Sequence, residues 1–214
     1  MPVAVKICGL NRPEVVAAAV DGGAAFIGFV FYPRSPRAVT PAEARRLAVD
    51  VPAHVVKTGL LVDCDDAAIA AILAEAPLDL LQLHGAESPA RVAAVRARFG
   101  LPVMKVLAVA EPDDVAAAEA YVPVVDRLMF DAKPPRRPDA LPGGNGLPFD
   151  WRLLAGRRWD VPWMLSGGLT TDNLAEAVRM TGAPAIDVSS GVEDAPGVKS
   201  VAKIAAFLAA AQSL

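Results

Sequence analysis

Apolar residues fall into two alternating patterns along this chain. Short β-branched and aromatic runs begin near Val3, Phe26, His54, Leu78, Pro102, Asp126, Pro162 and Pro184, at intervals of 23, 28, 24, 24, 24, 36 and 22 residues. Ala-rich segments with helical spacing of their apolar positions lie between them, as at Pro13–Val20, Pro41–Val49, Ala67–Ala74, Pro89–Phe99 and Asp113–Tyr121. Several open on a proline, whose missing N–H costs nothing in a first helical turn. Strands alternating with helices imply a parallel sheet. Eight such units without a linker predict an α/β fold, a single (βα)8 TIM barrel occupying residues 1–214 as one domain. A doubly wound open sheet is the alternative, but no G-x-G-x-x-G follows a predicted strand and opens a helix. Gly143-Gly144-Asn145-Gly146 comes nearest, and it sits within a loop. The long interval contains Asp131–Pro148, an extended connection of the kind that usually carries function.

Composition narrows the class. Of 214 residues, 54% are hydrophobic, which excludes a disordered chain. A net charge of -3 argues against a nucleic-acid partner. Two cysteines, Cys8 and Cys64, make no disulfide framework and fit a reducing compartment. With only His54 and His84, metal-ligand spacing is absent, so no metal is expected. Neither a signal sequence nor an apolar run of about 18 residues is present, so the expected address is the cytoplasm, without membrane contact.

Barrel chemistry occurs at the C-terminal ends of the strands. Alternation along Lys6-Ile7-Cys8-Gly9 points Lys6 and Cys8 toward the axis and Val5 and Ile7 toward the helices. By position, Cys8 is equally a small buried hydrophobe or a reactive group at the mouth. Lys6 favours the second, because a nearby ammonium is expected to pull the thiol below its usual value of about 8.5. Cys64, in Asp63-Cys64-Asp65-Asp66, reads as incidental. Strand 6 ends on Asp131 where the long loop begins; a plain loop cap is the competing reading. Leu165-Ser166-Gly167-Gly168 and Val188-Ser189-Ser190-Gly191 repeat a glycine and hydroxyl pattern after strands 7 and 8, where barrels commonly bind phosphate. In Phe31-Tyr32-Pro33-Arg34-Ser35-Pro36-Arg37, Arg34 reads as a solvated surface residue, and Arg37 remains a candidate carboxylate clamp. Gln82 and His84 would face inward from strand 4, with His84 either structural or a substrate contact. Asp187 adjoins strand 1 once the barrel closes and is expected to pair with Lys6.

Several of these segments, in this order, resemble phosphoribosylanthranilate isomerases of tryptophan biosynthesis. The carriers are Lys6-Ile7-Cys8-Gly9, Phe31–Arg37, Gln82-Leu83-His84-Gly85, Phe130-Asp131, Phe149-Asp150-Trp151, Leu165–Leu169 and Asp187–Glu193. The resemblance spans the chain and implies a (βα)8 barrel that needs no cofactor. It also implies a phosphorylated sugar–anthranilate substrate, and the chain is expected to act as a monomer or homodimer. Cys8 matches the family's general base, Asp131 its general acid, and Arg37 the arginine that meets the anthranilate carboxylate. Lys6 would support Cys8, and burial would help Asp131 keep its proton. His84, Gly167, Gly168, Asp187, Ser189, Ser190 and Gly191 complete the expected substrate contacts. The chain departs from the pattern at Asn145-Gly146-Leu147-Pro148, where Thr/Ser- and Lys-like residues are expected; this puts in question any substrate contact from that loop. Other classes remain: a histidine-pathway isomerase would need two aspartates, a cysteine hydrolase would need His84 beside Cys8, and an inert phosphate-binding scaffold would use neither Cys8 nor Asp131.

Overall fold

The computed structural model describes residues 3–134 and 141–214. Strands β1 (Ala4–Cys8), β2 (Phe26–Val30), β3 (Val56–Leu61), β4 (Leu80–Leu83), β5 (Val103–Val109), β6 (Arg127–Ala132), β7 (Trp163–Leu165) and β8 (Ala185–Val188) form a closed parallel barrel in sequential order. β8 pairs with β1, in a register that sets Lys6 opposite Asp187. Each strand starts no more than two residues from its expected position.

Helices α1 (Pro13–Asp21), α2 (Pro41–Leu47), α3 (Asp66–Glu75), α4 (Pro89–Phe99) and α5 (Pro112–Ala116) follow the first five strands, and α6 (Leu174–Thr181) and α7 (Val201–Gln212) follow β7 and β8. Their starts are chemically marked. Proline occupies the first turn of α1, α2, α4 and α5. Thr40 and Glu43 form a reciprocal capping box on α2, while Asp65 and Ser88 cap α3 and α4.

Two expected helices differ. The segment at Asp113–Tyr121 is α-helical only to Ala116 and continues as a 3-10 turn over Ala117–Ala120. Among the described residues, the sixth unit has no α-helix, only a 3-10 turn at Trp151–Leu154 started by the Asp150 side chain accepting from the Arg152 N–H. Pro142, Pro148 and three glycines in that stretch oppose a helix. Residues 135–140 of the expected 131–148 loop lie outside the described residues. The βα8 connection also contains an antiparallel hairpin, β9 (Glu193–Ala195) and β10 (Val198–Lys199), turned at Pro196-Gly197 with Gly197 at φ +81°.

Strands buried on both faces explain the apolar composition. Phe26, Leu80, Met104, Val106, Met129, Met164 and Ala185 fill the barrel interior. Val5, Ile7, Ile27, Phe29, Leu81, Phe130 and Ile186 belong to the larger core packed against the helices. The alternation expected for β1 therefore holds, with Lys6 and Cys8 on the interior side of that strand. Met129 is interior too, which places Asp131, two residues further along β6, above it at the mouth. No helix among the described residues is long and apolar enough to cross a membrane.

Candidate active site

One cavity opens at the C-terminal ends of the strands, and Cys8, Arg37, His84, Asp131, Gly167, Gly168, Asp187, Ser189 and Ser190 all line it. Lys6 lies beneath it. Gly191 does not reach it: an added Cβ there would meet the Leu169 carbonyl at 2.0 Å, so this glycine is required where the loops after β7 and β8 touch. Cys64 and the exposed Arg34 also stand outside.

The base of the site is an ionic chain. Lys6 Nζ donates to Asp187 Oδ1 at 2.8 Å, and Ser166 Oγ donates to Asp187 Oδ2 at 3.0 Å. Burial alone would lower the Lys6 pKa, but the Asp187 carboxylate, with the Cys8 thiol adding to it, raises it to about 12. For Cys8 the expectation reverses. Burial pushes the thiol up, and the Lys6 ammonium, acting to lower it, does not offset that rise. Lys6 is already matched to Asp187, whose own charge further disfavours a thiolate.

Asp131 and His84 meet across the mouth. His84 Nε2 stands 3.3 Å from Asp131 Oδ2, off the line of a hydrogen bond, and Gln82 Nε2 lies 3.3 Å from His84 Nδ1. The loop after β6 crosses above them. A Cβ on Gly143 would lie 2.5 Å from His84 Cε1 and 2.7 Å from Asp131 Oδ2, so any side chain there would displace the ends of both. The divergent Asn145–Pro148 stretch folds back on itself and onto the loop after β7. Asn145 Nδ2 donates to the Leu141 carbonyl at 2.8 Å, and Pro148 N lies 2.6 Å from where a Gly168 Cβ would stand.

Arg37 is held rather than free. Its Nε and Nη2 donate to the two oxygens of Glu193 at 2.7 and 2.8 Å, and Nη2 reaches the Gly144 carbonyl at 3.2 Å. Glu193 also accepts from Lys199, which is fully buried. Burial would raise the Glu193 carboxyl, but Arg37 and Lys199 together hold it below the usual carboxylate range. Lys199, lowered by burial, donates to Ser189 Oγ at 3.3 Å, and that hydroxyl donates to the Cys8 carbonyl at 3.2 Å.

Sequence reasoning missed Lys199 and gave Glu193 no role. The available signals were the Ala-Pro-Gly turn of the hairpin and an acid two residues beyond a phosphate-type glycine. It also missed Lys105 and Glu87, both buried and paired at 2.7 Å. Lys105 donates to the Gly85 carbonyl at 2.6 Å, and Glu87 accepts from the Gly85 N–H at 2.9 Å, which fixes the turn carrying His84. Among the described residues, no three His, Cys, Asp or Glu side chains gather as metal ligands would.

Comparison with known proteins points one way. Residues 5–210 match the family model for N-(5'phosphoribosyl)anthranilate (PRA) isomerase. The chain is 60% identical over 212 residues to the N-(5'-phosphoribosyl)anthranilate isomerase of Paracoccus denitrificans, covering 99% of this chain and 98% of that one. The crystal structure of phosphoribosyl anthranilate isomerase from Thermotoga maritima superposes with a TM-score of 0.88 at 34% identity, covering 99% and 100% of the two chains. A structure of such an isomerase in complex with reduced 1-(o-carboxyphenylamino)-1-deoxyribulose 5-phosphate gives a TM-score of 0.84 at 32% identity, again over 99% and 100%.

Proposed function

Since the chain belongs to the N-(5'-phosphoribosyl)anthranilate isomerase family, we propose that it converts N-(5'-phosphoribosyl)anthranilate to 1-(2-carboxyphenylamino)-1-deoxyribulose 5-phosphate. Cys8 is the general base and Asp131 the general acid. The carrying observation is the placement of these two groups, from β1 and β6, on one cavity whose rim also bears both glycine loops.

The reaction is an Amadori rearrangement. Asp131 gives its proton to the furanose ring oxygen; the C1–O bond breaks while the anilino nitrogen lone pair forms C1=N. Cys8 then takes the proton from C2, and that electron pair becomes the C1=C2 bond of an enolamine, returning the iminium electrons to nitrogen. Tautomerisation yields the ketone. The iminium charge forms beside Cys8 and favours thiolate at the step that needs it, against the burial that disfavours thiolate.

The substrate lies with its phosphate on Gly167, Gly168, Ser189 and Ser190 and its carboxylate toward Arg37. Backbone N–H groups at glycines approach an anion closely, which suits the first end. A guanidinium whose Nη1 has no hydrogen-bond partner among the described residues suits the second. His84, beside Asp131, orients the acid toward the ring oxygen. Residues 1–214 act as one catalytic domain on a small soluble substrate in the cytoplasm.

Loss of substrate fluorescence on turnover is the test. Wild-type protein is expected to be active and Asp131→Ala to lose activity by about a hundredfold or more. Equal rates in the two would refute the assignment.

A further inference from the structure

Arg37 makes both of its strongest contacts with Glu193, an arrangement that at first sight spends the guanidinium before any ligand arrives. The geometry and the charge balance read differently. Glu193 takes the Nε–Nη2 edge and the Gly144 carbonyl also accepts from Nη2, leaving Nη1 packed against Gly144 of the cavity lining, where an added Cβ would stand 2.6 Å from it. Gly9 is forced to the left-handed region at φ +78°, and its missing Cβ would lie 2.7 Å from Arg37 Cδ, so the arginine stem is pressed into one path. Lys199 neutralises the acid from its other side. The three buried charges sum to one excess positive charge, displayed on the only part of the cluster that reaches the cavity.

We propose that Glu193, backed by Lys199, is a positioning residue that gives this isomerase its preference for a carboxylated aglycone. Glu193 fixes the orientation of the buried Arg37 guanidinium, and Lys199 prevents that acid from cancelling the charge offered to the ligand. The hairpin of β9 and β10 adds a second link. Lys199 also holds Ser189, so the carboxylate end and the phosphate end of the cavity are tied to one small element. The proposal rests on Arg37 being the carboxylate contact.

The experiment measures binding by calorimetry of two non-reacting probes: reduced 1-(o-carboxyphenylamino)-1-deoxyribulose 5-phosphate and the same compound lacking the ring carboxylate. Wild-type protein is expected to prefer the carboxylated probe. Glu193→Gln keeps one acceptor but leaves Arg37 and Lys199 as unseparated like charges, and should shrink that preference by about tenfold through weaker binding of the carboxylated probe alone. Glu193→Asp, which restores the charge at shorter reach, should recover part of it and serves the comparison if the amide variant does not fold. An unchanged preference in Glu193→Gln, or tighter binding of the carboxylated probe from the added positive charge, would overturn the positioning role. A wild type that binds both probes equally would instead remove the Arg37 assignment on which it stands.

Discussion

Lys6 Nζ and Asp187 Oδ1 meet at 2.8 Å across the seam where the last strand closes on the first. Both side chains are buried, so either one alone would be an uncompensated interior charge. Lys6→Met is therefore expected to cost about 3–5 kcal/mol, more than an isosteric change in the core, when unfolding is followed in urea. Lys6→Met combined with Asp187→Leu should cost less than the sum of the single changes, a coupling that a double-mutant cycle reads directly. Because the folded Lys6 pKa is raised from 10.5 to about 12, the pair stabilises fully below the lower value and loses its contribution as pH climbs through the upper one.

With Cys8 as the proposed base, the buried thiol is expected to set the pH dependence of the reaction. With Cys8 pushed up by burial, kcat/KM should still be rising with pH at the ordinary thiol value of about 8.5. In Cys8→Ser that limb should vanish along with most of the activity. A wild-type profile already flat at neutral pH would contradict the thiol as base.

The roles proposed for Asp131 and His84 divide between chemistry and placement. Asp131→Asn keeps the shape and removes the proton donor, so kcat should fall by about a hundredfold to ten-thousandfold while binding of the reduced product analogue changes little. His84→Asn is expected to act more mildly, by disturbing the orientation of a carboxyl 3.3 Å away. Steady-state kinetics with parallel binding measurements distinguish the two patterns.

Gly168 joins the loop after β7 to the stretch that departs from the family pattern. It sits at φ +64°, and a Cβ there would strike Pro148 N at 2.6 Å. Gly168→Ala should lose about 1–2 kcal/mol from backbone strain alone, and it must also shift Leu147 and Pro148. The expected result is a lower Tm together with a raised KM, because the same glycine borders the cavity; a change in Tm with KM untouched would remove it from the phosphate subsite.

The barrel was legible because its signals are local and repeated. Strand starts, Pro-led helices and inward alternation at Lys6, Cys8, Met129 and Asp131 need only short stretches of chain. The Lys6–Asp187 pair followed from closure alone. What escaped depends on tertiary charge and loop geometry. The direction of the Cys8 shift turned on Asp187 having already satisfied Lys6 and on the depth of burial, neither readable from one strand. Glu193 and Lys199 gain meaning only when a hairpin folds them against a loop more than 150 positions earlier, with 156 residues separating Glu193 from Arg37. The sixth unit, assumed to carry a helix because its neighbours do, broke the repeat where proline and glycine concentrate.

Closure of β8 on β1 makes the two ends of the barrel sequence depend on each other. Cys8 lies on the first strand of the barrel, yet the carboxylate that pairs with its neighbouring ammonium stands 181 positions after Lys6. Gln212 of the terminal helix then anchors to the Gly22 carbonyl beside α1. Asp187 and Gln212 thus act as two latches on the first βα unit, and a truncation that removes β8 would leave the Lys6 ammonium buried without its counter-charge.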